Sequence, residues 1–155
     1  LGYLEESLRI SQSNGDQSRI GVIFNNISRI YQEWGDYNTA LDYLNRSLQI
    51  SRDIGDKREM ISAFHNLAVV SLEKEEPQKY LEYALSGYSL ALEIEDNVGI
   101  YNVGRLLGWM LCKVGLKREG IPILQKCLSI GKAARFPDVA EIVDLLNEYQ
   151  GCNLQ

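Results

Sequence analysis

The sequence is poor in proline and histidine, and it contains no long apolar run. Only three prolines and one histidine occur among its 155 residues. So few prolines leave room for long helices, because proline interrupts a helix wherever it falls in the interior. A bilayer-spanning helix needs about 20 consecutive apolar residues, and no such stretch is present. The opening residues 1–10 are acidic and amphipathic, unlike a secretory signal peptide. We therefore expect no membrane segment.

A basic excess and closely spaced cysteines are missing as well. The formal net charge is −5, and lysine and arginine form no dense run. Proteins that bind nucleic acid usually carry a basic surface, so nucleic acid is not expected as a partner. Cys112, Cys127 and Cys152 are odd in number and far apart, which indicates reduced thiols and a cytoplasmic protein.

Sequence motifs of catalysis are also missing. The chain has no glycine-rich phosphate loop, no HExxH and no CxxC pair. His65 is the only histidine, and with no nucleophile constellation near it a catalytic triad is not expected. A metal site is not expected either, because one histidine beside an asparagine lacks the other ligands. The paired carboxylates Glu75 and Glu76 fall at a predicted turn, where a solvated charge pair is the plain explanation. We predict no enzymatic activity and no cofactor.

What the sequence does contain is a repeat. Residues 1–16, LGYLEESLRISQSNGD, align without a gap with residues 41–56, LDYLNRSLQISRDIGD. The two segments share Leu, Tyr-Leu, Ser-Leu, Ile-Ser and Gly-Asp at matching places, 40 residues apart. A segment that recurs intact is a structural unit. The same register defines three blocks, at residues 21–54, 61–94 and 101–134.

Each block predicts two helices separated by a short break. Apolar residues such as Phe24 and Ile27 recur at helical spacing on both sides of the break. In the first block the break is Gly35-Asp36, where glycine suits the end of one helix and aspartate caps the next. The Gly-Asp pair recurs at residues 55–56, where Asp56 and Glu59 resemble a capping box.

Single helices are predicted on either side of the three blocks. The first covers residues 1–13, and the last covers about 138–149, capped by Asp138. Pro77 and Pro122 each fall near the start of a predicted second helix, where a missing N–H does little harm.

The residues around each break resemble the tetratricopeptide repeat, a helix–turn–helix unit of about 34 residues. The resemblance covers nearly the whole chain. The residues that match the family pattern are Phe24, Ile27, Ser28, Tyr31, Gly35, Asp36, Tyr37, Ala40, Leu44 and Ser47 in the first block, Phe64, Leu67, Ala68, Ala84 and Gly87 in the second, and Leu107, Gly108, Gly115, Leu124 and Cys127 in the third.

The resemblance implies an all-α fold, a right-handed α-solenoid of helix–turn–helix hairpins. The 40-residue period is similar to that of the long-repeat relatives in kinesin light chains and in scaffolds that orient cell division. The chain does not begin with methionine, so we expect one domain cut from a longer protein. Its predicted parts are a half repeat at 1–14, repeats at 15–54, 55–94 and 95–134, and a terminal helix at 135–155.

Small residues are expected where paired helices cross, because a bulky side chain would force them apart. Tyr80 departs from this pattern, since Ala40 and Gly120 stand at the same place in the other blocks. Gly104 likewise replaces Phe24 and Phe64. We predict a local rearrangement, or a rotated helix pair, near Tyr80.

In the family, the first helix of each repeat lines the concave side, and the resemblance places a partner-binding groove there. Asn26 and Asn66 share one repeat position, with Leu106 in the third block. An asparagine amide matches the C=O and N–H of a peptide, and the matching asparagine in relatives commonly holds one. The alternative is that both asparagines only satisfy backbone groups between helices. The candidate groove residues are Asn25, Asn26, Arg29, Glu33, His65, Asn66, Val69, Glu73, Asn102, Arg105, Trp109 and Lys113.

Three of these residues have a specific expected role. Arg29 and Arg105 could clamp a carboxylate bidentately, or they could lie on a solvated face, with Arg29 paired to Glu33. Trp109 could anchor a partner, or it could belong to ordinary helix packing.

These residues favour a scaffold or regulatory module that binds a protein or peptide segment. A second hypothesis is self-association through an uncovered apolar face on the first helix, formed by Leu1, Leu4, Leu8 and Ile10. A third is a sensor domain for a small molecule or peptide within a larger regulator.

Overall fold

The computed structural model describes residues 2–151, and this part of the chain is built of α-helices joined by short turns. The predicted all-α architecture is confirmed. Within these residues no helix is both long and apolar enough to cross a bilayer. Leu1 and Cys152, named above, lie outside the described residues. The helices are α1 (Gly2–Asn14), α2 (Gln17–Glu33), α3 (Tyr37–Ile54), α4 (Lys57–Glu73), α5 (Pro77–Glu93), α6 (Asn97–Lys113), α7 (Lys117–Ala134) and α8 (Val139–Gln150).

The helices form two compact units, the first ending at Leu90 and the second beginning at Ala91, so the division falls within α5. In the first unit, one apolar cluster consists of Ile20, Ile23, Phe24 and Ile27, and another consists of Ala40, Leu44, Leu48, Ala63, Phe64, Leu67 and Val70. In the second unit the core consists of Tyr101, Cys112, Leu124, Cys127, Ile142 and Leu146. Nearly all of these residues occupy the apolar stripes that the helical spacing predicts.

Part of the apolar face of α1 is buried against the rest of the first unit. Leu4 and Leu8 pack against the cluster around Phe24. Tyr3 and Ile10 stay exposed, at 88% and 48% of their surface. The apolar surface open to another molecule is therefore smaller than the sequence suggests, and self-association stays a prediction.

The predicted aspartate caps at two turns are confirmed. Asp36 Oδ1 accepts a hydrogen bond from the Thr39 backbone N–H at 3.1 Å, and Asp56 Oδ1 accepts one from the Glu59 N–H at 3.1 Å. The predicted cap at Asp138 is wrong. Asp138 stands at the start of α8, but its side chain makes no capping bond. Its carboxylate turns to α6 instead, as described below.

A residue in the left-handed backbone conformation ends each of seven successive helices, at a spacing of 20 residues. Each 40-residue repeat is thus two steps of helix plus turn. Glycine fills four of these positions at little steric cost, but a side chain is held there at the other three. The positive φ angles are 68° at Gly15, 77° at Gly35, 72° at Gly55, 59° at Glu75, 55° at Glu95, 91° at Gly115 and 57° at Arg135.

We expect Glu75→Gly to raise the free energy of unfolding by about 1 kcal/mol, because glycine adopts a positive φ without the steric cost that glutamate bears. Urea unfolding followed by circular dichroism measures the change. The control is Glu82→Gly, at an exposed position inside α5, which should lower stability by about 1 kcal/mol. Equal effects at the two positions would contradict the explanation.

The small residues predicted at helix crossings have a direct packing role in the second unit. A Cβ atom at Gly120 on α7 would lie 2.7 Å from the carbonyl oxygen of Gly108 on α6. The two backbones are therefore as close as glycine permits. At the matching repeat position of α5, the Tyr80 side chain is completely buried. The rearrangement expected near Tyr80 stays a prediction.

Candidate functional site

A chain of polar side chains, which we call the Asn25 cluster, joins α2 and α3 to α4. Asn25 Nδ2 donates to Glu59 Oε1 at 2.8 Å, and Asn66 Nδ2 donates to Asn25 Oδ1 at 2.6 Å. His65 Nδ1 lies 3.1 Å from Asn66 Oδ1, and the Ser47 hydroxyl reaches Glu59 Oε1 at 3.4 Å. The cluster therefore fixes the side chains of Asn25 and Asn66 before any partner arrives.

Glu59 is the acidic member of this cluster and is half-buried. Burial raises the pKa of its carboxyl, the hydrogen bond from Asn25 opposes that rise, and the nearby charge of Asp56 adds to it. Only the Asp56 half of the predicted capping box was found, since the Glu59 carboxylate accepts from Asn25 and Ser47. Glu59 was not among the candidate groove residues. Its spacing of 34 residues from Asn25 does not match the 40-residue register.

A second hydrogen bond between α2 and α4 lies two helical turns from the bond between Asn25 and Asn66. Gln32 Nε2 on α2 donates to Glu73 Oε1 on α4 at 3.2 Å. Asn25 and Asn66 are 41 residues apart, and so are Gln32 and Glu73. Between these two bonds α2 and α4 run side by side.

The predicted groove residues of the first unit occupy different environments along this pair of helices. Asn26, Arg29 and Glu33 on α2 are exposed, whereas Asn25 on α2 and His65, Asn66 and Val69 on α4 are half-buried. Asn26 and Asn66 share a repeat position but not a surrounding, because Asn66 is bonded to Asn25 and Asn26 faces solvent. The hydrogen bond of Asn66 is to the Asn25 side chain and not to the backbone groups between helices that were expected as the alternative.

In the second unit Arg105 is engaged within the chain. Its Nη1 donates to Asp138 Oδ2 and, at 3.1 Å, to Glu141 Oε2. The Tyr101 hydroxyl donates to Asp138 Oδ1 at 2.7 Å, and the Arg105 guanidinium lies 5.4 Å from the Tyr101 ring centre. This arrangement joins α6 to α8. A carboxylate arriving from a partner would compete with Asp138 and Glu141 for Arg105.

The Tyr101–Asp138 bond also moves the pKa of both groups. The hydrogen bond from the Tyr101 hydroxyl is the main cause that lowers the pKa of the Asp138 carboxyl, and Arg105 adds to it. Burial, together with that bond, raises the pKa of Tyr101 to about 12. Asp138 is thus held as a carboxylate and Tyr101 as a neutral donor, which suits a structural link.

The remaining predicted residues of the second unit also lie on α6. Asn102 and Trp109 are half-buried and Lys113 is exposed. The Lys113 ammonium sits 4.7 Å from the centre of the Trp109 ring. A cation stacked on an indole contributes about 0.5–1 kcal/mol at an exposed site. Trp109 therefore already has a partner on its own helix.

The two cysteines within the described residues, Cys112 and Cys127, show no sign of reactivity. Cys112 and Cys127 are buried and are not joined in a disulfide. Burial raises the pKa of both thiols, that of Cys127 to about 12, so little thiolate forms near neutral pH. Within residues 2–151, no three His, Cys, Asp or Glu side chains form a group that could hold a metal ion.

Comparison with known proteins agrees with the helix pairs described above. Residues 1–53 match the family model of the tetratricopeptide repeat. A comparison with curated proteins gave no match. The matched segment covers α1, α2 and nearly all of α3, and α2 and α3 recur 40 residues later as α4 and α5. Repeats of this family generally act as protein–protein interaction scaffolds. Residues 1–53 therefore belong to the tetratricopeptide-repeat family.

Proposed function

We propose that this chain is a non-catalytic interaction module that binds an extended segment of a protein partner along the α2–α4 face. We define this face by Asn26 and Arg29 on α2 and by Asn66 and Val69 on α4. The observation that carries the proposal is the contrast between Asn26 and Asn66. One amide is open to solvent, and the other is fixed by Asn25 on the neighbouring helix.

The groups on this face match the groups of a peptide. The Asn26 amide offers a donor and an acceptor side by side, as a peptide C=O and N–H require. The Arg29 guanidinium can form two parallel bonds to a carboxylate, which favours an acidic residue or a chain end. Val69, between the two α2–α4 bonds, supplies an apolar contact.

The Asn25 cluster supports the proposal by fixing the α4 side of this face. Side chains held in advance by hydrogen bonds lose less conformational entropy on binding than free ones do. His65 and Asn25 both contact the Asn66 amide, and Glu59 in turn holds Asn25.

We further propose a cytoplasmic location, which the buried, unpaired thiols of Cys112 and Cys127 support.

The test replaces the two exposed groups of α2. Peptides that bind the full chain would first be selected from a random-sequence phage library, and their affinities measured by calorimetry. We expect Asn26→Ala with Arg29→Ala to weaken binding by about 1–3 kcal/mol, which is about fivefold to 150-fold, because hydrogen bonds to the peptide are lost. Both side chains are exposed, so thermal unfolding should change little.

The matched control changes the same residue types on another helix. Asn45 and Arg52 are exposed on α3, and neither belongs to the α2–α4 face. Asn45→Ala with Arg52→Ala should leave the affinity within twofold. If both double variants bind the selected peptides as the unchanged chain does, the α2–α4 face is not the binding surface.

A further inference from the structure

The first unit carries a concave surface, which we call the α1–α3 groove. It lies between α1, α2 and α3 and has a volume of about 420 Å³. None of its residues was among the candidates from the sequence. Its lining residues are Gln12, Gln17, Ile20, Phe24, Arg46, Gln49 and Ile50.

The groove opens on the side of α2 that faces away from Asn26 and Arg29. Successive residues of a helix are rotated by about 100°, so Ile20 and Phe24 project roughly opposite to Asn26 and Arg29. The α1–α3 groove is therefore separate from the α2–α4 face.

Arg46 dominates the chemistry of this groove. Its guanidinium carbon lies 4.3 Å from the centre of the Phe24 ring and 5.4 Å from that of Tyr43. The two rings are themselves 5.6 Å apart, so the cation contacts an aromatic pair. The ion-pair partner of Arg46 is Asp42, whose Oδ2 lies 3.9 Å from Nη1, too far for a hydrogen bond. Stacking thus positions the guanidinium and leaves its N–H groups for a ligand.

The rest of the lining divides into an apolar floor and a neutral polar rim. Ile20, Phe24 and Ile50 form the apolar part, and three glutamines supply amides. Gln49 Nε2 donates to Asp53 at 2.8 Å, which leaves its carbonyl oxygen for another donor. Arg46 is the charged residue of the lining, so a bound group of negative charge is complementary to the groove.

We propose that the α1–α3 groove binds a protein segment in which an acidic residue stands next to an aliphatic or aromatic one. The carboxylate pairs with Arg46, the apolar side chain covers Ile20 and Ile50, and the glutamine amides bond the peptide backbone. A single cation among neutral amides does not suit a polyanion such as nucleic acid, which is bound by many basic groups. This is a second binding surface, beyond the function proposed above.

The experiment compares three forms of the full chain in parallel selections from a random dodecapeptide phage library. They are the unchanged chain, Arg46→Met and Arg52→Met. Arg46→Met keeps a flexible apolar stem over Phe24 and removes the charge. Arg52→Met is the matched control, because Arg52 is also on α3, with its guanidinium carbon 5.9 Å from the Phe64 ring, and lies outside the groove.

We expect the unchanged chain and Arg52→Met to enrich peptides that pair an acidic with an apolar residue. Arg46→Met should lose these peptides, and its affinity for the best of them should fall at least tenfold. Changing the acidic residue of that peptide to its amide should have the same effect. Addition of the peptide to the unchanged chain should shift the NMR side-chain amide signals of Gln12 and Gln49.

Three outcomes would overturn the proposal. They are no enrichment on the unchanged chain, enriched peptides without an acidic residue, and equal binding to Arg46→Met. The Asn26→Ala, Arg29→Ala variant separates this proposal from the function proposed above. Peptides that lose binding in that variant but not in Arg46→Met belong to the α2–α4 face.

Discussion

Replacing Tyr80 with alanine is expected to lower the free energy of unfolding by about 3–5 kcal/mol, the range for removing a fully buried aromatic ring. The Tyr80 side chain is completely buried and is among the largest side chains with no exposed surface. The same burial raises the pKa of its hydroxyl. Surrounding side chains collapse only partly around a lost ring, so a cavity and lost contacts both add to the cost.

Urea unfolding of the purified chain, followed by far-ultraviolet circular dichroism, measures this change. Tyr80→Phe keeps the ring and separates the hydroxyl contribution, which should be about 1 kcal/mol. Tyr3→Ala is the matched exposed control, since 88% of Tyr3 is accessible, and should be nearly neutral. A Tyr80→Ala loss below about 1 kcal/mol would show that the site can close without the ring.

The second large effect is expected at Gly120, where alanine should destabilise the protein by about 1–3 kcal/mol through overpacking. A Cβ atom there would lie 2.6 Å from Cys112 Sγ, 2.7 Å from the Gly108 carbonyl oxygen and 3.0 Å from the Cys112 backbone nitrogen. Two of these atoms belong to the backbone of α6. They cannot turn aside as the end of a flexible side chain can, so α6 and α7 would have to separate.

The matched control is the same substitution at Gly21, inside α2. There the nearest atoms to an added Cβ are Ile50 Cγ2 and Ser51 Oγ, both at 3.6 Å, an ordinary contact distance. Alanine should therefore stabilise α2 by about 0.5–1 kcal/mol, because it restricts the unfolded chain. Thermal unfolding of both variants tests the contrast. The close packing of α6 on α7 is refuted if Gly120→Ala also raises the melting temperature.

The 40-residue register shows which positions of the repeats correspond, but it does not determine how the side chain at each position is packed. Ala40, Tyr80 and Gly120 occupy one repeat position, and all three are buried. The volume that each position accepts depends on the distance between two helices. That distance is set by every side chain between them, and a single repeat position does not reveal it.

Local structure was predictable from the sequence alone. The breaks at Gly35-Asp36 and Gly55-Asp56 depend on bonds between residues no more than about five apart, so adjacent residues specify them. The turn at Glu75 followed from the register, although glutamate gives no sign of a positive φ. There the flanking helices impose the left-handed conformation on the side chain.

The candidate site was only partly predictable. Sequence register placed Asn26 and Asn66 together, but the hydrogen bond joins Asn66 to Asn25. Glu59 was not predicted as a member of the Asn25 cluster. Arg105 is paired with Asp138, 33 residues away. A shift of one residue between neighbouring helices changes which side chains meet. The 40-residue period of the sequence does not reveal that shift.

The helices, their period, most of their turns and the residues of their apolar faces could all be predicted from the order of the amino acids. These follow from hydrogen bonds and side-chain preferences within one or two turns of the same helix. The pairing of the polar groups, the groups that stay exposed and the position of the α1–α3 groove became clear from the packed helices alone. Those outcomes depend on the separation and relative rotation of packed helices, which arise from many side chains acting together.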